Sequence, residues 1–192
     1  MFSAQITLAS ASPRRRELLD QIQVSYNVLA VNIDESHIAG ETAQQFVQRL
    51  ALEKARAGFA QAPNLPALGA DTIVICEQHI LGKPENQPMF VDMLQLLSAK
   101  PHTVMTAVAI CKGEIEHCKI STSEVEFTEL SRAQIEAYWQ TQEPLDKAGG
   151  YAIQGIGAQF IKNIKGSYSG IMGLPLFETV QLLNLVGIKT LT

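Results

Sequence analysis

Charged residues are sparse in this chain, at 18% of its 192 residues, and aromatic ones sparser still, at 6% with a single tryptophan. The formal net charge is only −4, so no basic surface dominates, which excludes a general binder of nucleic acid or anionic membranes. Any anion site must therefore be local. Cysteine is also scarce. Cys76, Cys111 and Cys118 show neither Cys-x-x-Cys spacing nor an accompanying histidine pattern, so a zinc site and a disulfide framework are excluded and reduced, structural thiols are expected.

No apolar run approaches the length of a membrane helix. Residues 1–8 lack the basic start, apolar stretch and cleavage site of a signal peptide. A soluble cytoplasmic protein is expected. Gly-x-x-x-x-Gly-Lys-Ser/Thr, Gly-x-Ser-x-Gly and His-Glu-x-x-His are all missing, as are internal repeats and low-complexity tracts. His37, His79, His102 and His117 are scattered and read as surface residues, and Trp139 reads as core or interface.

What is present is a folding composition, 46% hydrophobic, of a size that suits one compact domain over residues 1–192, its core whole or split into two lobes. Residues 6–9 read as a buried strand, and Ser12-Pro13 as the start of a helix through about Asp20, capped by serine with proline at its first position. A strand over 25–31, an acidic loop at Asp34-Glu35 and a helix over about 42–60 follow. Strand 68–76 turns at Glu77-Gln78-His79 into a short return strand at 80–81. Further on come a helix at 90–98, strands at 103–111 and 115–126, a helix at 132–140 after Ser131, and a strand at 159–164 inside a glycine-rich stretch over 146–170. A last helix spans about 175–186. Alternating hairpins and helices predict an α/β fold with a mixed twisted sheet flanked by helices.

Arg14, Arg15 and Arg16 occupy the first turn of the first helix, where the helix dipole and unpaired N–H groups disfavour cations. A bound anion reverses that penalty, and Ser10, Ser12 and bidentate guanidinium groups would cradle a phosphate there. A solvated basic turn is the alternative. In the next helix Phe46, Val47, Leu50, Ala51 and Ala57 make an apolar face with Lys54 near its middle. That lysine must pair with a carboxylate, face a polar cleft or snorkel along the core edge.

Asp71 interrupts a strand of apolar and β-branched residues, where aspartate is disfavoured. A turn at 77–79 would set Lys83 beside Asp71 or Thr72. Asp34 and Glu35 supply further carboxylates. Glu35 with Asp71 would suit Mg²⁺, which takes one or two protein carboxylates and keeps several waters. Residues 146–155 form either a mobile linker or a polar loop in which Gln154 presents a donor and an acceptor to a base.

Ser10-Ala11-Ser12-Pro13-Arg14-Arg15, Glu17-Leu18-Leu19, Glu53-Lys54-Ala55, Gly69-Ala70-Asp71-Thr72, Gly82-Lys83-Pro84 and Asp146-Lys147-Ala148-Gly149 together resemble the Maf proteins over nearly the whole chain. The resemblance implies two α/β lobes with an elongated mixed sheet and a central cleft, a fold related to the inosine triphosphate pyrophosphatases. It implies cleavage of a nucleoside triphosphate between its α and β phosphates, releasing a monophosphate and pyrophosphate; the cofactor expected beside it is a divalent cation, Mg²⁺ or Mn²⁺, held by Glu35 and Asp71.

Thr72 and the block at 150–155 look like the branch acting on dTTP and UTP, with Arg14, Thr72 and Gln154 at the positions linked to that choice. Asp71 matches the proton acceptor. Ser10, Arg14, Arg15, Glu35, Lys54 and Lys83 match the polar lining, so Asp71, Lys83 and Lys54 are the expected catalytic set. Alternatives are the 7-methyl-GTP branch, another modified-nucleotide pyrophosphatase, or a nucleotide-binding regulator of septum formation. A homodimer using Tyr138 and Trp139 is a further expectation, with no nucleic-acid or membrane partner.

Overall fold

Three buried residues form β1 (Ile6–Leu8), and the chain turns directly into α1 (Pro13–Gln21). This opening belongs to a computed structural model that describes residues 4–190; residues 1–3 of the amino-terminal stretch read above lie outside it. β2 (Tyr26–Val28) is shorter than the strand expected over 25–31. α2 (Ala43–Gln61) starts with a capping box in which Thr42 and Gln45 bond each other's backbone N–H groups, satisfying two donors that a helix start otherwise leaves open.

β3 (Ala67–Cys76) and β4 (His79–Leu81) form the expected hairpin. Glu77 and Gln78 both adopt positive φ, 48° and 72°, the backbone of a two-residue turn whose twist matches that of its strands. α3 (Gln87–Leu97), β5 (Pro101–Lys112), β6 (Ile115–Phe127) and α4 (Arg132–Gln140) follow close to expectation. β7 (Ile161–Lys165), α5 (Tyr168–Met172) and α6 (Leu176–Leu185) complete the regular elements.

Among the described residues seven strands make one sheet in the order β2-β1-β3-β5-β6-β7, with β4 on β3. β1 is parallel to both β2 and β3, whereas β4 on β3 and β7 on β6 are antiparallel. The expected mixed sheet is therefore present. Each parallel step is made by a helix, α1 and then α2, because parallel neighbours need a crossover connection. Among the described residues no helix is long and apolar enough to cross a membrane.

The described residues divide into two compact units: residues 4–71, 106–121 and 173–190 in the first, residues 72–105 and 122–172 in the second. In the first, Ile6, Leu8, Val47, Ala51, Ala55 and Leu68 are wholly buried. The second is built on Phe90, Leu94, Leu97, Phe127 and Ile135, with Phe127 and Tyr151 edge to face at 4.8 Å.

The 146–155 segment, for which a mobile linker is one of two expectations, follows a short 3-10 turn at Glu143–Asp146 and contains another at Ala148–Gly150; a third at Ile156–Phe160 leads into β7 and α5. Its glycines serve close approach. A Cβ on Gly149 would lie 2.9 Å from Val74, one on Gly150 would lie 2.9 Å from Phe90, and both residues have positive φ, a region glycine enters without penalty.

Candidate active site

The first unit brings Ser10, Arg15, Glu35, Lys54 and Asp71 into one charged group. Its origin is a close packing of helix on strand. Gly58 of α2 sits so near Ala9 that a Cβ there would lie 2.8 Å from the Ala9 Cβ, and one on Gly69 of β3 would lie 2.5 Å from the Ala51 carbonyl oxygen. The buried stripe of α2 is Val47, Leu50, Ala51, Ala55 and Gly58. This corrects the expected face: Phe46 and Ala57 are only half-buried, because the small residues Ala55 and Gly58 are the ones that let α2 descend onto the sheet.

Side chains two apart on a strand share a face, so Asp71 looks the same way as Gly69, toward the helix. Lys54, one residue before Ala55, donates to Asp71 Oδ1 at 2.7 Å. The same ammonium lies 2.7 Å from Glu35 Oε1. Of the three options for Lys54, pairing with carboxylates is the one realised.

Asp71 is 8% exposed. Burial pushes its carboxyl above the ordinary carboxylate range, Lys54 and Arg15 pull it back, and Glu35 adds to the rise. A carboxylate whose burial outweighs its bound cation gains from further positive charge.

Ser10 ends the β1 connection and is nearly buried. Its Oγ accepts from the Ser12 N–H at 3.2 Å and from Arg15 Nη1 at 3.0 Å. Capping therefore differs from expectation. Ser12 occupies the N-cap position but its side chain makes no capping bond, and Pro13 follows with no acidic residue in the first turn. The Ser10 hydroxyl takes over part of that task. Arg15 Nε donates to the Gly173 carbonyl at 2.8 Å, which ties the basic turn to the last segment of the same unit. Burial lowers the Arg15 pKa, with Asp71 and Glu35 opposing and Arg14 reinforcing that shift. Arg14 and Arg16 are half-buried on the same turn.

One contributor has no motif to announce it. Arg49, on the polar face of α2, donates to Glu41 Oε1 at 2.7 Å and Oε2 at 3.0 Å, and to the Ser36 carbonyl at 2.9 Å. It thereby fastens to α2 both ends of the short segment that follows Glu35. Asp34 is exposed and accepts from the Ser36 N–H at 2.9 Å, a local loop contact, while its neighbour Glu35 turns to Lys54.

Thr72, Lys83 and Gln154 belong to the second unit. The β3–β4 register pairs Val74 with Leu81 and stops there; two residues further it would face Thr72 with Lys83, which is exposed. The Gly149 N–H donates to the Gly82 carbonyl at 3.0 Å, joining the segment of Lys83 to the turn after Asp146. Gln154 is exposed on the turn between Tyr151 and Ile156.

His102 is not the surface residue expected. It is 3% exposed, its Nε2 lies 2.8 Å from the Tyr151 hydroxyl, and burial lowers its pKa to about 4. Tyr138 is not available to an interface either, being buried and donating to Glu143 Oε1 at 2.6 Å. Trp139 packs on Phe90 with ring centres 5.1 Å apart.

For a metal, no cluster of three or more His, Cys, Asp or Glu side chains forms among the described residues. Glu35 and Asp71, brought to one ammonium, match instead the donor set of a hard cation that takes one or two carboxylates and completes its shell with water and phosphate oxygens.

The chain is similar to known proteins over most of its length. The dTTP/UTP pyrophosphatase of Pseudoalteromonas atlantica is 52% identical over 183 residues, 93% of this chain and 95% of that protein. The protein of the same name from Saccharophagus degradans is 50% identical over 186 residues, 95% of this chain and 89% of that one. Among solved structures, a HAM1 protein from Coxiella burnetii superposes with a TM-score of 0.48 at 18% identity, over 68% of this chain and 76% of that one. That likeness is too slight to carry the fold, which rests on the strand order above. The family model for Maf, Maf-like protein, matches residues 5–186, and the chain belongs to that family.

Proposed function

We propose that this chain, working as one domain over residues 1–192, is a nucleoside triphosphate pyrophosphatase that hydrolyses dTTP and UTP to the monophosphate and pyrophosphate. The observation that carries the reading is the Lys54 ammonium held 2.7 Å from both Asp71 and Glu35, in a chain half identical to proteins named dTTP/UTP pyrophosphatase.

In this reading Asp71 accepts a proton from the attacking water as its oxygen bonds to the α phosphorus. The bond from that phosphorus to the α–β bridging oxygen breaks, and pyrophosphate leaves with the electron pair. Arg15, held by Ser10 and Gly173, offers a fixed guanidinium to phosphate oxygens, and Lys54 and Lys83 add ammonium groups that offset the charge growing on the leaving group. Glu35 and Asp71 are the residues that would hold Mg²⁺ or Mn²⁺, whose contribution is to neutralise triphosphate oxygens. Arg14, Thr72 and Gln154 are assigned to selection of the base.

The test is to incubate the pure protein with Mg²⁺ and each of a panel of normal and modified nucleoside triphosphates, and to assay monophosphate and pyrophosphate. dTTP and UTP should be the preferred substrates, with pyrophosphate as the co-product. Release of orthophosphate, or preference for 7-methyl-GTP, would overturn the proposal, and binding without product would favour a nucleotide-binding regulator.

A further inference from the structure

Around Gln154 the backbone is held by two side chains from α4 and the turn after it. Glu143 Oε1 accepts from the Gly157 N–H at 3.0 Å as well as from the Tyr138 hydroxyl, and Oε2 accepts from the Ile156 N–H at 2.9 Å. The Tyr138 oxygen in turn accepts from the Ala152 N–H at 3.1 Å. Three amides that bracket Gln154 thus end on a single hydrogen-bonded pair. Lys147 Nζ, donating to the Glu143 carbonyl at 3.1 Å, secures the pair's own backbone.

The glycines of this turn make room for the pair. A Cβ on Gly155 would fall onto the Glu143 carboxylate, 2.6 Å from its Cδ, and one on Gly157 would lie 2.6 Å from the Tyr138 hydroxyl. The Tyr138 ring is fixed in its turn, 5.1 Å from Phe160 between ring centres. Burial by itself raises the Glu143 pKa, but the Tyr138 hydroxyl and the Gly157 and Ile156 amides outweigh it and leave the carboxyl below its ordinary range. The group is therefore an ionised acceptor at neutral pH, and hydrogen bonds to an ionised acceptor are the stronger kind.

From this geometry we infer that Glu143, acting with Tyr138, is a positioning residue for substrate selection: it fixes the 152–157 turn so that Gln154 meets the pyrimidine base in one orientation. The inference rests on the proposed role of Gln154 in reading the base. A short irregular turn fluctuates when its amides are released, and a base-reading amide that wanders loses binding of the base-bearing substrate without altering the reacting atoms. Loss of such binding raises KM and spares kcat.

The test is a double-mutant cycle read with dTTP. Glu143→Ala should raise KM about tenfold with kcat within about twofold of the parent, and Gln154→Ala should raise KM similarly. Because Glu143 acts through Gln154, the double variant should be no worse than Gln154→Ala alone. Tyr138→Phe keeps the buried ring and removes only the hydroxyl. It should raise KM in the same direction by a smaller factor, and it serves as the test if Glu143→Ala fails to fold.

Additive effects in the double variant, a fall in kcat shared by Glu143→Ala and Tyr138→Phe, or an unchanged KM in both would overturn the inference while leaving the dTTP activity intact. An unchanged KM in Gln154→Ala would overturn both the inference and the role given to Gln154. Absence of pyrophosphate release by the unaltered protein would instead strike the proposed function itself.

Discussion

Gly69 of β3 lies so close under Ala51 of α2 that a single added methyl group would come within 2.5 Å of the Ala51 carbonyl oxygen. The contact sits beside the charged pair, two residues from Asp71 on β3 and against Ala55, the neighbour of Lys54, on α2, and it sets the distance between helix and strand and so the place of Lys54 over Asp71. Gly69→Ala should force α2 outward. Overpacking of this kind costs about 1–3 kcal/mol, measurable by urea denaturation, and turnover should fall with it. Unchanged stability would mean that the packing relaxes without moving the helix.

The Lys54–Asp71 pair makes a second prediction through Asp71's titration. Activity in this account needs the carboxylate, which is lost as the pH falls through its pKa, and burial holds that pKa above the ordinary range while Lys54 lowers it. Replacing Lys54 by alanine removes the opposing cation. The Asp71 carboxyl, followed by carbon-13 NMR, should then titrate at a higher pH than in the parent. A lower or unmoved titration would show that Lys54 does not govern Asp71.

Arg49 is expected to matter through Glu35. With its guanidinium on both Glu41 oxygens and on the Ser36 carbonyl, it restrains the segment that delivers Glu35 to Lys54. Arg49→Ala should raise the KM for the Mg²⁺ complex of dTTP about fivefold, with a smaller change in kcat, the size expected for losing a hydrogen-bonded ion pair. Kinetics indistinguishable from the parent would make the contact a surface ion pair of the kind that contributes little.

His102 predicts a specific acid sensitivity of the fold. Its pKa is 6.5 when unperturbed and about 4 in the folded protein, so below pH 6.5 the unfolded chain binds a proton that the folded one refuses. Stability is therefore full above pH 6.5 and falls as the pH drops toward 4, by about 3 kcal/mol from this residue. His102→Gln should flatten that part of the stability profile in urea unfolding at several pH values. An equally steep profile in the variant would assign the acid sensitivity elsewhere.

These residues differ in how far their sequence context announces them. Lys54 stands out on an apolar helix face and Asp71 in an apolar strand, because each is a charge where its element wants none. Thr42 and Gln45 announce the start of α2 by a spacing that is itself the capping geometry. The Lys54–Asp71 meeting depends on Gly58 and Gly69, whose value lies in what packs against them from distant parts of the chain. Glu143 and Tyr138 spend their polar atoms on backbone N–H groups and on one another, and a backbone partner carries no side-chain signature; Arg49 bonds Glu41 and the Ser36 carbonyl, partners that no motif spacing announces. His102 reads as exposed because only the aromatic surroundings of Phe127 and Tyr151 make a buried histidine acceptable. The 146–157 glycines imply mobility in a one-dimensional reading, whereas the neighbours that they admit make them points of close contact.

In the proposed mechanism hydrolysis depends on Asp71, whose carboxylate shares the Lys54 ammonium with Glu35. The most direct test is the turnover of Asp71→Asn with dTTP at saturating Mg²⁺, by release of pyrophosphate, with folding checked by urea denaturation. The account predicts a folded protein whose kcat is lower by at least about 100-fold, the scale of losing a general base. A folded variant with near-parental turnover would contradict it, since neither proton acceptance nor metal binding by Asp71 would then be required.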